Sequence, residues 1–133
     1  MERTACCACG DTAITVTGDP AFSGVCHCTN CKRRTGSAFG ISTYYHRSSV
    51  LRTTGAPTVY AFDHPTQDQH QERHFCPRCG TTLFWTVSTL PDLIGGAGGC
   101  FGEELPAEPS ASYSHAKKAP WVTLPENWRI VQS

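Results

Sequence analysis

Short segments with the residue pattern of β-strands recur along this chain. Residues 11–17 and 39–45 alternate polar with apolar side chains, which is the period of a strand with one buried face. Other segments are rich in the β-branched and aromatic residues that strands favour. The pattern therefore predicts strands at residues 11–17, 39–45, 50–54, 58–62 and 81–87.

Glycine and proline mark the connections between these segments. Turns are predicted at Gly18–Pro20 and Gly55–Pro57, because both residue types favour turn conformations. Residues 63–70 and 103–109 are polar or proline-containing and are expected to form surface loops. The short segment at residues 21–25 leads from the first turn into the central cysteines.

Two further segments have less regular patterns. Residues 29–34 predict a helical turn whose N-cap is Thr29 or Asn30 and which Gly36 ends. The glycine-rich segment at residues 95–101 does not match a phosphate-binding fingerprint. It predicts a strand or bulge in a crowded place, with close approach of a ligand to the backbone as the alternative.

Composition narrows the classes of protein that fit. The chain has 133 residues, 12 Gly, 9 Pro and a formal net charge of zero. A single domain, residues 1–133, is expected at this length. A nucleic-acid binder would usually carry a basic excess, so a small-molecule partner is favoured over nucleic acid. No apolar run resembles a signal peptide or a membrane span, so we expect a cytoplasmic protein that does not enter a membrane.

The nine cysteines suggest metal ligands more than disulfides. Their C-x-C and C-x-x-C spacings allow a closed, structural Zn²⁺ site formed by Cys7, Cys9, Cys76 and Cys79. The competing arrangement is a zinc ribbon, in which Cys28 and Cys31 bind one zinc together with Cys76 and Cys79. That arrangement leaves Cys7, Cys9 and Cys26 without a partner. A redox C-x-x-C is a third interpretation, which lacks the expected strand-to-helix junction of a βαβ unit.

The remaining thiols, Cys26, Cys28 and Cys31, form a set of three that predicts a second zinc. Three protein ligands with one open position are typical of a catalytic zinc, and four are typical of a structural one. The catalytic interpretation assigns these cysteines to the reaction centre. The alternative is a closed site whose fourth ligand is one of these residues: His27, His46, His74 or Cys100.

Three consecutive basic residues, Lys32, Arg33 and Arg34, follow the last of these thiols. Their charges could offset the negative zinc–thiolate centre or hold the carboxylates of a substrate. A solvated helical turn is the plainer interpretation of the same residues.

The cysteine spacing and its flanking residues carry a resemblance to a known family. The matching motifs are Cys7-x-Cys9-Gly10, Cys26-His27-Cys28-x-x-Cys31-Lys32-Arg33-x-Thr35-Gly36-Ser37-Ala38-Phe39 and Phe75-Cys76-x-x-Cys79-Gly80-Thr81-x-Leu83. Together they resemble the glutathione-dependent formaldehyde-activating (GFA) family, which also includes centromere protein V. The chain departs from the family pattern at Cys6 and at the glycine-rich segment.

The resemblance implies a mainly β fold with little helix, a small zinc-binding β-tent of two short antiparallel sheets. It implies one structural zinc on the four-cysteine set and one exchangeable zinc on the three-cysteine set. It also implies a small-molecule thiol partner, glutathione, and its addition to formaldehyde to give S-(hydroxymethyl)glutathione, a carbon–sulfur lyase reaction in reverse. The alternatives are a related thiol-adduct reaction, or a non-catalytic binding module with two structural zincs.

Overall fold

The computed structural model describes residues 1–106 and 108–133. Within them the chain forms one α-helix, α1 (Thr29–Thr35), and 3₁₀ segments at Arg47–Ser49, Gly98–Glu104 and His115–Lys117. The remaining regular structure is β. The strands are β1 (Glu2–Cys6), β2 (Ala13–Thr17), β3 (Phe22–Cys26), β4 (Gly40–His46), β5 (Val50–Thr54), β6 (Thr58–Asp63), β7 (His70–Phe75), β8 (Thr82–Val87), β9 (Leu93–Ala97), β10 (Ala111–Tyr113) and β11 (Arg129–Ile130).

The strands form two sheets. The smaller sheet has the order β1-β2-β5, and the larger has the order β11-β10-β3-β4-β9-β8-β7-β6. Neighbouring strands are antiparallel except that β10 runs parallel to both β3 and β11. The predicted mainly β fold of two sheets with little helix is confirmed, and the two parallel pairings are an addition to it.

Most local predictions agree with the structure. The strands predicted at residues 11–17, 39–45, 50–54, 58–62 and 81–87 are confirmed as β2, β4, β5, β6 and β8. The helix ends at Gly36, which has a left-handed φ of 63° as predicted. Residues 21–25 form most of β3 instead of a simple connection. The loop predicted at residues 103–109 begins inside a 3₁₀ segment, and its Ala107 lies outside the described residues.

The main core lies between the two sheets. On β4, Tyr44 and Tyr45 point to opposite faces because side chains alternate along a strand. Tyr45 is 2% exposed and its ring lies 6.2 Å from that of Phe101. This core contains the following buried residues: Ala5, Ile14, Val16, Tyr45, Leu83, Phe84 and Phe101.

No helix among the described residues has the length and apolar character that crossing a membrane requires.

The glycine-rich segment is crowded by neighbouring side chains, as the strand interpretation predicted. A Cβ atom at Gly95 would collide with the indole of Trp85, and one at Gly98 would collide with Ile41. Gly95 lies directly opposite Trp85 in the β8–β9 register. The indole therefore occupies the space that a side chain at Gly95 would need.

We expect Gly95→Ala to reduce the free energy of unfolding by about 1–3 kcal/mol, because the added methyl group must displace a packed indole. Gly99→Ala is the matched control, since a Cβ atom there meets open space. The control should change stability by no more than about 0.5 kcal/mol. Urea unfolding of the metal-loaded proteins, followed by tryptophan fluorescence, measures both. Equal stabilities for the two variants would contradict the packing role of Gly95.

Candidate metal centre

Four of the predicted metal-ligand sulfurs meet where two turns approach each other. Cys7 and Cys9 lie in the turn between β1 and β2, and Cys76 and Cys79 lie in the turn between β7 and β8. Their Sγ atoms all lie within 4.8 Å of one another. Because one turn belongs to the smaller sheet and the other to the larger, this four-cysteine group joins the two sheets.

The two turns share a backbone hydrogen-bond pattern. The Cys7 N–H donates to the Thr12 carbonyl at 3.0 Å, and the Cys76 N–H donates to the Thr81 carbonyl at 3.0 Å. In the second turn Gly80 has a φ of 79°, a conformation that glycine adopts without steric cost. The tight turn predicted for residues 76–80 is confirmed, and the first turn repeats its pattern.

The donor atoms of this group fit a Zn²⁺ ion. The Sγ atom of Cys9 lies 3.7 Å from that of Cys7 and 3.6 Å from that of Cys76. Tetrahedral ligands with zinc–sulfur bonds of about 2.3 Å are separated by about 3.8 Å. Four thiolates with no open position are the donor set of a structural zinc. The geometry therefore supports a metal site of the closed kind.

Hydrogen bonds at two of these cysteines favour the thiolate form that a metal needs. Hydrogen bonding from Thr12 lowers the pKa of Cys7 to about 7, and the Thr12 N–H lies 3.3 Å from its Sγ atom. Hydrogen bonding from Thr81 lowers the pKa of Cys79 to about 5, with the Thr81 hydroxyl 3.2 Å from its Sγ atom.

The second group of sulfurs lies at the junction of β3 and α1. Cys26 ends β3, Cys28 caps the helix and Cys31 lies in its first turn. Their Sγ atoms lie within 4.8 Å of one another. The Cys31 N–H donates to the Cys28 Sγ atom at 3.3 Å, so the cap is Cys28. The predicted caps, Thr29 and Asn30, are wrong because a thiol takes the position that a hydroxyl or amide usually fills.

The three thiols do not titrate alike. Hydrogen bonds with Cys26 and Cys31 lower the pKa of Cys28, whereas hydrogen bonds with Cys26 and Cys28 raise the pKa of Cys31. A metal ion bound by all three sulfurs would displace the thiol protons that remain, which makes metal affinity depend on pH.

A cavity of about 310 Å³ opens beside the three-cysteine group and is lined by all three of its residues. Small-molecule sites commonly measure about 300–1,000 Å³, so the cavity can hold a compact ligand. The loop between β6 and β7 contributes to its wall through His64, Gln67 and Gln69. The loop predicted at residues 63–70 therefore forms part of the cavity.

The three consecutive basic residues point to different places. Arg34 lines the cavity, and its Cζ atom lies 4.4 Å above the ring of Trp85. The Lys32 ammonium donates to the Lys117 carbonyl at 2.7 Å. Arg33 is exposed and lies outside the cavity wall. The structure thus brings Arg34 to the three-cysteine group and directs the other two side chains elsewhere.

One wall of the cavity follows a single line of paired residues across the larger sheet. The register pairs Phe22 with Tyr44, Tyr44 with Gly95, Gly95 with Trp85, and Trp85 with Arg73. Directly paired residues place their side chains on the same face of a sheet. The rings of Phe22 and Tyr44 stack at 4.7 Å, and Trp85 Nε1 donates to the Tyr44 hydroxyl at 3.1 Å. These five residues are called the transverse row below.

The candidate fourth ligands lie in other environments. His27 is fully buried and its Nε2 atom lies 2.9 Å from the Ser112 hydroxyl. His74 stacks on Phe84 at 4.4 Å, and Cys100 packs against the main core. His46 is exposed at the end of β4. Within residues 1–106 and 108–133, the group that could hold a second metal ion consists of three cysteines.

Comparison with known proteins identifies the family. The sequence profile of the glutathione-dependent formaldehyde-activating enzymes matches residues 2–117. The chain belongs to this family. A crystal structure of a Rhodobacter sphaeroides protein, solved as a structural genomics target, has a similar fold, with a TM-score of 0.57 at 22% identity over 75% of this chain and 88% of that one. No curated protein matches the chain.

In this GFA-family chain, sequence reasoning missed several residues of the cavity. Arg73 and Gln71 lie on β7 and line the cavity, and the sequence predicted no role in the site for either. Tyr113 comes from β10, whose parallel pairing with β3 brings it beside Cys26. Alternation along β7 could have placed Gln71 and Arg73 on one face. No local signal indicated which strand would lie next to it.

We expect Cys76→Ser to lose about one metal ion per chain and to lower the thermal midpoint strongly, because a structural zinc contributes about 10–16 kcal/mol of apparent binding energy. Cys6→Ser is the matched control, since Cys6 is exposed and lies outside both sulfur groups. The metal content and the thermal midpoint of the control should equal those of the wild type. Metal analysis and thermal unfolding at fixed zinc concentration test this. Equal metal contents in the two variants would contradict the assignment.

Proposed function

We propose that this chain joins glutathione and formaldehyde to form S-(hydroxymethyl)glutathione, a reaction that is a carbon–sulfur lyase reaction in the opposite direction. The observation that carries the proposal is the group formed by Cys26, Cys28 and Cys31. Three sulfurs lie within 4.8 Å, and all three residues line a cavity of about 310 Å³. Membership of the GFA family supports glutathione and formaldehyde as the reactants.

The reaction forms one carbon–sulfur bond and needs no oxidant or reductant. The thiol sulfur bonds to the aldehyde carbon, and the thiol proton moves to the aldehyde oxygen. A Zn²⁺ ion bound by the three cysteines would supply Lewis-acid chemistry, whereas one bound by the four-cysteine group would be structural. Since thiols add to formaldehyde without an enzyme, orientation of the two reactants in one cavity supplies much of the benefit.

Arg34 is the residue proposed to bind a carboxylate of glutathione. Its guanidinium lies over Trp85, which restricts its motion, and a guanidinium can bind a carboxylate through two parallel hydrogen bonds. Burial lowers the pKa of Arg34, but an arginine remains charged in proteins. A buried Nη2 atom of Arg34 has no hydrogen-bond partner among the described residues. The role predicted for Lys32 and Arg33 in binding glutathione stays a prediction.

The aromatic members of the transverse row hold this arrangement in place. Tyr44 accepts a hydrogen bond from Trp85 and stacks on Phe22, so the three rings brace one another. They form the aromatic part of the cavity wall, and such a wall limits the access of water to the reacting atoms. The proposed enzyme is cytoplasmic and acts as a single domain on a small-molecule thiol.

We expect Cys31→Ser to lose the metal ion of the three-cysteine group. The enzyme-dependent rate should fall at least about 100-fold, because Lewis-acid catalysis contributes several kcal/mol. The fold should remain, since the four-cysteine group is untouched. Cys100→Ala is the control, because Cys100 lies outside both sulfur groups. Metal content, circular dichroism and the rate of S-(hydroxymethyl)glutathione formation above the uncatalysed background measure these effects.

A different outcome would favour a zinc-stabilised binding module. Both metal ions would then resist a mild chelator, glutathione would not perturb either, and the wild-type protein would not exceed the uncatalysed rate. Full activity and full metal content in Cys31→Ser would likewise contradict the proposed role of the three-cysteine group.

A further inference from the structure

Arg73 places a second guanidinium in the cavity wall. It pairs with Trp85 on one side and Tyr60 on the other, so its side chain shares the face of the transverse row. Its Cζ atom lies 4.7 Å above the ring of Phe62, and that ring stacks on Tyr60 at 5.0 Å. The aromatic pair on β6 thus supports Arg73 from the edge of the sheet, much as Trp85 supports Arg34.

The two arginines of the cavity have no aspartate or glutamate side chain beside them in its wall. Among the described residues that line it, none is Asp or Glu. Within the same residues, neither Arg34 nor Arg73 forms a salt bridge, whereas Arg52 and Arg78 on the surface pair with Glu2 and Asp11. Half-buried cations that share a cavity repel each other unless an anion is present. The cysteine thiols close to the two arginines offset part of this charge when they are ionised.

Glutathione has a carboxylate at each end and its thiol between them. A ligand of this kind can place its sulfur at the three-cysteine group and extend in two directions. Arg34 follows Cys31 by three residues on α1, whereas Arg73 lies on β7 towards the edge of the sheet. The guanidinium of Arg34 lies over Trp85 on β8, whereas that of Arg73 lies over Phe62 on β6, two strands away. Because neighbouring strands are about 4.8 Å apart, the two supporting strands are about 10 Å apart. Two guanidinium groups placed in this way match two carboxylates better than they match a single one.

We propose that Arg73 determines substrate specificity by binding the second carboxylate of glutathione, so that the cavity selects thiols with two carboxylates over thiols with one. This inference rests on the proposed function, because it names the residue of the same site that binds the second carboxylate of the substrate. Phe62 is a positioning residue in this scheme, since its ring holds the guanidinium above the cavity edge.

The test uses S-methylglutathione, whose blocked sulfur separates carboxylate recognition from thiol chemistry. Calorimetry with zinc-loaded protein compares the wild type, Arg73→Gln, Arg73→Lys and Arg52→Gln. Each protein is also titrated with two ligands that lack one carboxylate: the glycine ethyl ester, and the analogue in which 4-aminobutyryl replaces γ-glutamyl. Arg52→Gln is the matched control, because Arg52 is exposed on β5 and loses only a surface ion pair.

We expect Arg73→Gln to weaken S-methylglutathione binding about 10- to 100-fold, the range for charged hydrogen bonds. The affinity of this variant should also be the same with and without one of the two carboxylates, whereas removal of the other carboxylate should still weaken binding. Arg73→Lys should recover part of the loss, because lysine keeps the charge without the two-pronged geometry. Arg52→Gln should bind as the wild type does.

Unchanged binding by Arg73→Gln, equal losses for all three ligands, or no binding of S-methylglutathione by the wild type would each overturn the inference. Formaldehyde turnover is measured in parallel on the same proteins. If the wild type turns over formaldehyde but binds the three ligands equally well, the proposed function holds and the role of Arg73 is contradicted. Selective binding without turnover would retain the role of Arg73 and contradict the proposed reaction.

Discussion

The meeting of four sulfurs from two distant turns is the constraint on which the rest of the structure depends. Cys9 and Cys76 are separated by 67 positions in the chain, yet their Sγ atoms lie 3.6 Å apart. Bringing such distant segments together costs conformational entropy, which metal binding and the adjoining core can offset. Ala5 and Leu83, both fully buried, lie a few residues from the cysteines. The sulfur group and the core therefore fix the same contact between the two sheets.

The two groups of cysteines lie in different surroundings. In the four-cysteine group, each turn supplies two sulfurs and the set is complete without a ligand from outside. In the three-cysteine group, Cys28 is occupied in capping α1, and the cavity lies where a further ligand could enter. The helix cap takes the place of a second turn, so this group has three sulfurs beside a cavity where the other group has four.

The larger sheet acts as the frame for the cavity. The transverse row takes one residue from each of five neighbouring strands, so its side chains come together only when every register is correct. Rigid strands hold such groups more accurately than loops do. Gly95 is essential to this arrangement because Trp85 occupies the space of its missing side chain. A residue with no functional group therefore determines the position of the ring that supports Arg34.

The sequence by itself determined the grouping of the cysteines, five of the strands, the end of α1 and the crowded glycine strand. These depend on local spacing, on alternation and on the backbone freedom of glycine, which are properties of neighbouring residues. Only the tertiary structure decided that Arg34 would face the cavity while Lys32 and Arg33 would not, and that Arg73 and Tyr113 would join it. Strand order and register place residues that are distant in the chain side by side, and no local pattern encodes which strands become neighbours.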